Sequence, residues 1–171
     1  MHALKTCLSI IDKINEWVAR LVSWTIILII CSTVYEVIMR YVFSAPTQWS
    51  FEFNYLVHGV YFLLLGAFTF AVRGHVNVDI FYARFSPRRK AVIDLFTAPL
   101  FFFFISMMLI FGGQFALNSL AYRETLSSAW APPIYPVKLI IPVAAGMLIL
   151  QGVAKFIRDL HTALTGREGE L

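Results

Sequence analysis

The sequence predicts an all-α integral membrane protein with four transmembrane helices. Two observations predict it: the composition is too apolar for a soluble domain, and the apolar residues fall into four long stretches. Of the 171 residues, 59% are hydrophobic and 14% are charged, whereas soluble domains carry about 25% charged residues. Each stretch is long enough to cross a hydrocarbon core of about 30 Å. We therefore expect membrane lipids around the chain, and the clustering of basic residues beside the apolar stretches argues against binding to nucleic acid.

The N-terminal segment, residues 1–20, is amphipathic. Apolar side chains recur every three or four residues from Leu4 to Val18, and charged residues such as Lys13 and Glu16 fall on other faces. This spacing is typical of a helix at a membrane interface, and we expect it to lead directly into the first span. A cleaved signal peptide is the competing prediction. It fits poorly because acidic residues interrupt its basic region and no small-residue cleavage site follows the apolar stretch.

Polar or proline-containing connectors separate the four predicted spans. The segment after the first span contains Pro46, and Pro99 predicts a kink inside the third. No internal repeat or low-complexity linker divides the chain, so we expect a single membrane domain over residues 1–171. We place the spans at about residues 21–43, 51–72, 87–117 and 135–157.

The connector after the second span, residues 73–90, is basic. Its apolar side chains from Val78 to Phe85 would share one face of a helix, which predicts a short interfacial helix between spans two and three. An ordinary loop is the alternative. Ser86 and Pro87 have the residue types expected at the N-cap and first turn of the third span.

Basic residues are distributed unevenly between the two sides of the predicted bundle. The N-terminal segment, the 73–90 connector and the C-terminal segment together hold eleven, whereas the connectors on the other side hold Arg123 alone. Arg40 and Lys138 lie inside span ends near that side and are expected to snorkel outwards. The positive-inside rule therefore predicts that both termini are cytoplasmic.

Four ionisable residues of the first two spans are candidates for a polar network. Glu36 and Arg40 are four residues apart on one helix, and Glu52 and His58 follow on the next. A proton or ion relay is one interpretation, and an ion-paired staple within the helical hairpin or against a partner is the other. We favour the staple, because a nearby arginine opposes the neutral state that a relay carboxylate needs.

His75 and Asp79 are also four residues apart, at the end of the second span. These two side chains could bind a metal ion, but two ligands without a third nearby form a weak metal site. We instead expect them to cap a helix or to pair with other groups at the membrane surface. Asp94 can reach the membrane surface or the basic residues 88–90. Hydrolase and phosphate-binding motifs are missing, and the histidines are not placed for haem, so we expect no catalytic residue, no metal site and no cofactor.

Several segments, in this order, carry a resemblance to a known family. They are Arg40–Phe43, Trp49, Glu52, Gly74–Asp79, Trp130–Lys138, Pro142, Gly146 and Gln151. On these residues the chain resembles the small membrane subunit, or Q-type subunit, of tripartite ATP-independent periplasmic (TRAP) transporters.

The resemblance implies a scaffold role in a bacterial inner membrane rather than catalysis. Such subunits pair with a much larger membrane subunit that carries the substrate and sodium sites, and a periplasmic binding protein delivers an organic acid to the pair. The resemblance makes Arg40, Glu52, His75 and Asp79 structural or subunit-contact positions, and Trp49 and Trp130 lie on the periplasmic side as interface anchors or contacts to the partners. With the two other members of the polar network, eight residues are candidates for a structural or subunit-contact role. These residues are Glu36, Arg40, Trp49, Glu52, His58, His75, Asp79 and Trp130.

Two other functions stay open from the sequence. Glu36 inside the first span would suit a small autonomous proton-coupled exporter that acts as a homodimer. A redox anchor would require haem, which the placement of the histidines disfavours.

Overall fold

The computed structural model describes residues 2–72 and 85–166 of the chain, and the regular structure of these two ranges is helical with no strand. This confirms the all-α fold. The five helices are α1 (His2–Ser23), α2 (Thr25–Tyr41), α3 (Ser50–Ala71), α4 (Pro87–Ala121) and α5 (Tyr135–Thr165).

Four helical stretches in these ranges are long and apolar enough to cross a membrane, in agreement with the four predicted spans. Most of the expected interfacial helix, including Val78, lies outside the described residues. Phe85 and Ser86 are not helical, and α4 begins at Pro87 as expected.

Helices α1 and α2 form one nearly continuous rod that is interrupted only at Trp24. The Trp24 N–H donates to the Leu21 carbonyl at 3.3 Å, and the Ile27 N–H donates to the Trp24 carbonyl at 3.1 Å. Each of these bonds joins residues three apart, which is the spacing of a 3₁₀ turn. The rod from Lys5 to Tyr41 contains 37 residues. At 1.5 Å per residue it is about 55 Å long, so it extends well beyond the hydrocarbon.

The buried face of α1 coincides only in part with the predicted apolar stripe, of which Leu8 is buried. Ile14 of that stripe is 51% exposed. The face is rotated because α1 packs against α3 and α5 instead of lying alone at the membrane surface. The buried residues of α1 are Leu8, Asn15, Ala19 and Val22.

Helix α5 is the central element, because it contacts α1, α3 and α4, and its pair with α4 is the most extensive. Small side chains at Ala144, Ala145 and Ala154 are buried and allow the neighbouring helices to approach closely. Pro99 and Pro142 lie within helices that continue past them. Gly166, in the left-handed conformation with φ 73°, ends α5 beyond the predicted limit at residue 157.

Two short connections close the end of the bundle at which α2 ends and α3 begins, here called the connector end. The first is the turn 42–49, in which Ser44 has a positive φ of 50°. The second is the connector 122–134. In it the Leu126 N–H donates to the backbone carbonyl of Pro132 at 2.9 Å, and the Ile134 N–H donates to the backbone carbonyl of Glu124 at 3.0 Å. The opposite end, which holds the N-terminus of α1 and the C-terminus of α5, is called the terminal end.

The packing of α4 on α5 predicts different effects for two glycines of α5. A methyl group at Gly152 would overlap the Phe101 ring, which is stacked on Phe70 with centroids 4.7 Å apart, whereas one at Gly146 meets no atom within 4 Å. We expect Gly152→Ala to lower the stability of the folded chain by about 1–3 kcal/mol. Gly146→Ala should leave it unchanged or raise it slightly.

Thermal unfolding of the two variants in the same detergent measures this difference. Equal midpoints for Gly152→Ala and Gly146→Ala would contradict the close approach of α4 and α5 at Phe101.

Candidate functional site

Glu36 attaches the turn 42–49 to α2. Its carboxylate accepts hydrogen bonds from Arg40 Nη2 at 2.7 Å and Nε at 3.1 Å, one helical turn away. The backbone N–H of Thr47 donates to Glu36 Oε2 at 3.0 Å, and the Thr47 hydroxyl donates to the same oxygen. The Glu36 side chain is 14% exposed and that of Arg40 is 55% exposed. The predicted contact between Glu36 and Arg40 is therefore present, with Thr47 as a further partner.

Glu52 binds a different segment of the connector end. Its carboxylate accepts a hydrogen bond of 2.8 Å from the Ser128 hydroxyl, whose oxygen in turn accepts the Ala131 N–H at 3.1 Å. Glu52 thus fastens the first turn of α3 to the connector 122–134.

His58 is separate from both carboxylates, so the expected network of four residues does not form. The His58 side chain is exposed and lies against the rings of Phe62, at 4.9 Å between centroids, and Tyr61, at 6.2 Å. Within the described ranges it has no hydrogen bond. The reason is helical geometry: six residues separate Glu52 from His58, and this offset turns their side chains about 120° apart around α3.

Trp49 and Trp130 meet in an aromatic cluster at the connector end. Their ring centroids are 6.4 Å apart, and Trp49 also contacts Tyr35 of α2 at 6.0 Å and Phe53 of α3 at 5.9 Å. The cluster packs the connector 122–134 against α2 and α3. Each tryptophan was predicted from the sequence alone as a separate anchor, and the contact between them was not.

Lys138 completes the closure of this end. The Lys138 side chain does not snorkel outwards and is only 15% exposed. Its amine donates to the Glu124 carboxylate at 2.5 Å and lies 4.0 Å from the centre of the Phe115 ring. The hydrogen bond from Lys138 holds the pKa of the Glu124 carboxyl below its ordinary value. This pair joins the connector to the first turn of α5.

Gln151 forms the main polar contact nearer the terminal end. Its side chain is fully buried, accepts a 2.6 Å hydrogen bond from Asn15 and donates to Asp12 at 2.9 Å. Arg158 donates to the same aspartate at 2.6 Å. We call Asp12, Asn15, Gln151 and Arg158 the amide clasp. The sequence reasoning did not pair these residues, although an amide inside an apolar span signals a need for a polar partner.

Lys155 connects α4 to α5 at the same end. Its amine donates to Asp94 of α4 and, at 2.7 Å, to Asp159 of α5. Asp94 therefore reaches across to α5, which the sequence analysis did not predict. A carboxylate one turn inside a span finds a cation on the adjacent helix.

His75 and Asp79 lie outside the described residues. In the ranges 2–72 and 85–166, no group of three or more histidine, cysteine, aspartate or glutamate side chains is arranged to hold a metal ion.

Residues 29–162, from α2 almost to the end of α5, match the sequence profile of the family described as "Tripartite ATP-independent periplasmic transporters, DctQ component". The chain belongs to the DctQ family. This confirms the resemblance drawn from the sequence. A search of curated proteins finds no match to the chain.

DctQ is a component family of tripartite transporters and not a family of enzymes. The polar contacts described above hold segments of this chain to one another. Glu36, Glu52, Gln151 and Lys155 each bind another segment of the same chain. The matched range includes Gln151 and leaves out Asn15, so the DctQ profile covers only one half of the amide clasp.

The amide clasp predicts that Gln151 stabilises the docking of α1 on α5. Gln151→Leu removes the hydrogen-bond partner of Asn15 and one of the two partners of Asp12, and leaving a buried polar group unsatisfied costs about 1–3 kcal/mol. We expect a lower thermal unfolding midpoint and faster proteolysis near α1. Gln114→Leu is the matched control, because the Gln114 side chain is exposed. A Gln151→Leu protein as stable as the control would contradict the role of the clasp.

The Glu124–Lys138 pair predicts a pH-dependent closure of the connector. Because the pKa of Glu124 in the folded chain lies below its ordinary value of 4.5, the pair stabilises the connector at neutral pH. This contribution is lost as the pH falls through the lowered pKa. We expect amide protection at Leu126 and Ile134, corrected for the intrinsic exchange rate at each pH, to decrease in acid.

The control for this experiment is Glu124→Gln, which should show weaker protection than wild type at neutral pH and no loss specific to acid. Corrected amide protection that stays constant with pH in the wild-type connector would contradict the effect of this ion pair.

Proposed function

We propose that this DctQ-family chain is the small scaffold subunit of a sodium-coupled TRAP importer for an organic acid, and that it carries no transport site of its own. The observation that supports the proposal is that carboxylates within the helices pair with other groups of the same chain. Glu36 is held by Arg40 and Thr47, and Asp94 is held by Lys155. Charges fixed in this way brace helices and do not bind a passing substrate.

The partners follow from the tripartite nature of the family. A large membrane subunit carries the substrate and sodium sites, and a periplasmic binding protein delivers the carboxylate substrate to it. Sodium binds to the large subunit and not to this chain. Lipids cover the remaining apolar surface.

The chain lies in the bacterial inner membrane with both termini in the cytoplasm. The terminal end carries basic residues from both α1 and α5, including Lys13, Arg20 and Arg158, and Arg158 contacts α1 directly. This charge distribution supports a cytoplasmic position for the terminal end. The connector end, with Trp49 and Trp130, is then periplasmic.

The candidate residues divide into three proposed roles. Glu36, Arg40, Trp49, Glu52 and Trp130 keep the periplasmic end closed. For His75 and Asp79, which lie outside the described residues, pairing or capping at the cytoplasmic membrane surface stays a prediction. We propose that His58 contacts another subunit.

The alternative, an autonomous proton-coupled exporter, depends on repeated protonation of Glu36. Three donor groups hold this carboxylate: the Arg40 guanidinium, the Thr47 N–H and the Thr47 hydroxyl. Each stabilises the charged form and opposes a proton cycle.

Reconstitution of the subunits in proteoliposomes tests the proposal. We expect sodium-driven uptake of an organic acid when this chain, the large subunit and the loaded binding protein are combined, and no uptake with this chain alone. Glu36→Gln should lower the yield of assembled complex without altering the requirement for sodium. Transport by the chain alone, abolished by Glu36→Gln, would establish the exporter instead.

A further inference from the structure

Helix α3 exposes one continuous stripe of large side chains. Its members follow one another at intervals of four, three and four residues, which is the spacing of a helix–helix packing seam. They are strongly exposed: Phe51 is 82%, Tyr55 69% and Phe62 64% accessible. The stripe consists of Phe51, Tyr55, His58 and Phe62.

The stripe lines a groove of about 520 Å³ along α3. Asn54, which accepts a hydrogen bond from Ser32 of α2, and Val137 of α5 also line the groove. Gly59 contributes no side chain, and its nearest neighbour across the groove floor is Val137, 4.0 Å from the position of a Cβ. The groove is therefore open along a helix whose other faces are packed against α1, α2 and α5.

His58 lies within the hydrocarbon. Helix α3 has 22 residues and is a candidate span, so its length of about 33 Å closely matches a core of about 30 Å. His58 is eight residues from its start, or about 12 Å along the axis. Within the described ranges the imidazole makes ring contacts only, with Tyr61 and Phe62. A polar ring exposed to acyl chains without a hydrogen bond is unfavourable.

A lipid acyl chain could fill the apolar part of the groove but offers no hydrogen bond to an imidazole. A transmembrane helix with a hydroxyl, amide or carboxyl side chain supplies both apolar contact and a partner for His58. In the proposed function, the large membrane subunit supplies transmembrane helices to the complex.

We infer that the α3 groove receives a transmembrane helix of the large membrane subunit, with His58 as its central hydrogen-bonding contact. This inference rests on the proposed function, because it requires the large subunit to be the partner of this chain. It adds which helix of the small subunit makes the contact and the chemistry that the partner presents.

Site-specific photocrosslinking tests the location. The photoreactive residue benzoylphenylalanine replaces Phe62 in the groove or, as a matched control, Phe104 on α4. The two side chains are equally exposed, at 64% and 63%, and both lie in spans. The chain is expressed with an epitope-tagged large subunit and the binding protein. We expect an adduct with the tagged subunit from position 62 and at least tenfold less from position 104.

Each other outcome overturns the inference. An adduct between two copies of this chain would assign the groove to self-association, and adducts with lipid alone would assign it to the bilayer. Equal adducts at both positions would show that the contact is not specific to α3. In these cases the proposed function stands if the wild-type chain still co-purifies with the tagged subunit. If it does not co-purify, both the inference and the proposed function fail.

Substitution of His58 tests the chemistry. We expect His58→Leu to weaken recovery of the tagged subunit about three- to tenfold, the range for one hydrogen bond between transmembrane helices. His58→Gln keeps a donor and an acceptor and should restore much of the loss. Full recovery with His58→Leu, while the adduct at position 62 persists, would show that the groove docks the helix without the imidazole and would refute this role of His58.

Discussion

Inside a bilayer, a polar side chain cannot bind water and must find its partner within protein. For several polar side chains of this chain the requirement is met by contacts to another helix or to a connector. Gln151 connects α5 to α1, Lys155 connects α5 to α4, and Glu52 connects α3 to the connector 122–134. Removing one partner from such a pair leaves a desolvated polar group, so these contacts fix the relative positions of the helices as well as adding stability.

These contacts lie toward the two ends of the bundle and leave its middle to small-residue packing. The aromatic cluster around Trp49 and the pair Glu124–Lys138 close one end, and the amide clasp and Lys155 close the other. Between them, α5 contributes the buried Ala144 and Ala145, and Gly152, beside the amide clasp, packs against Phe101 of α4. A bundle fastened at both ends resists relative sliding of its helices, and the proposed scaffold role requires this property.

Much of the fold could be predicted from the sequence because it depends on local patterns. The lengths of the apolar stretches predicted the four spans. The spacing of four residues between Glu36 and Arg40 predicted the contact between their side chains. The contacts that define the site are non-local. Asn15 and Gln151 are 136 residues apart in the chain, and no spacing rule links them. His58 was misplaced because its depth in α3 was considered without its rotation around the helix axis.

Hydrogen exchange of the assembled transporter across its working states tests most directly whether this chain is a rigid brace. The complex is compared with and without sodium and the loaded binding protein. If the bundle is a brace, amide protection in α2, α3, α4 and α5 will stay constant while protection in the large subunit changes. A change of protection within α2 around Glu36, or within α5 around Lys155, would show that the small subunit moves during transport and would contradict its role as a fixed scaffold.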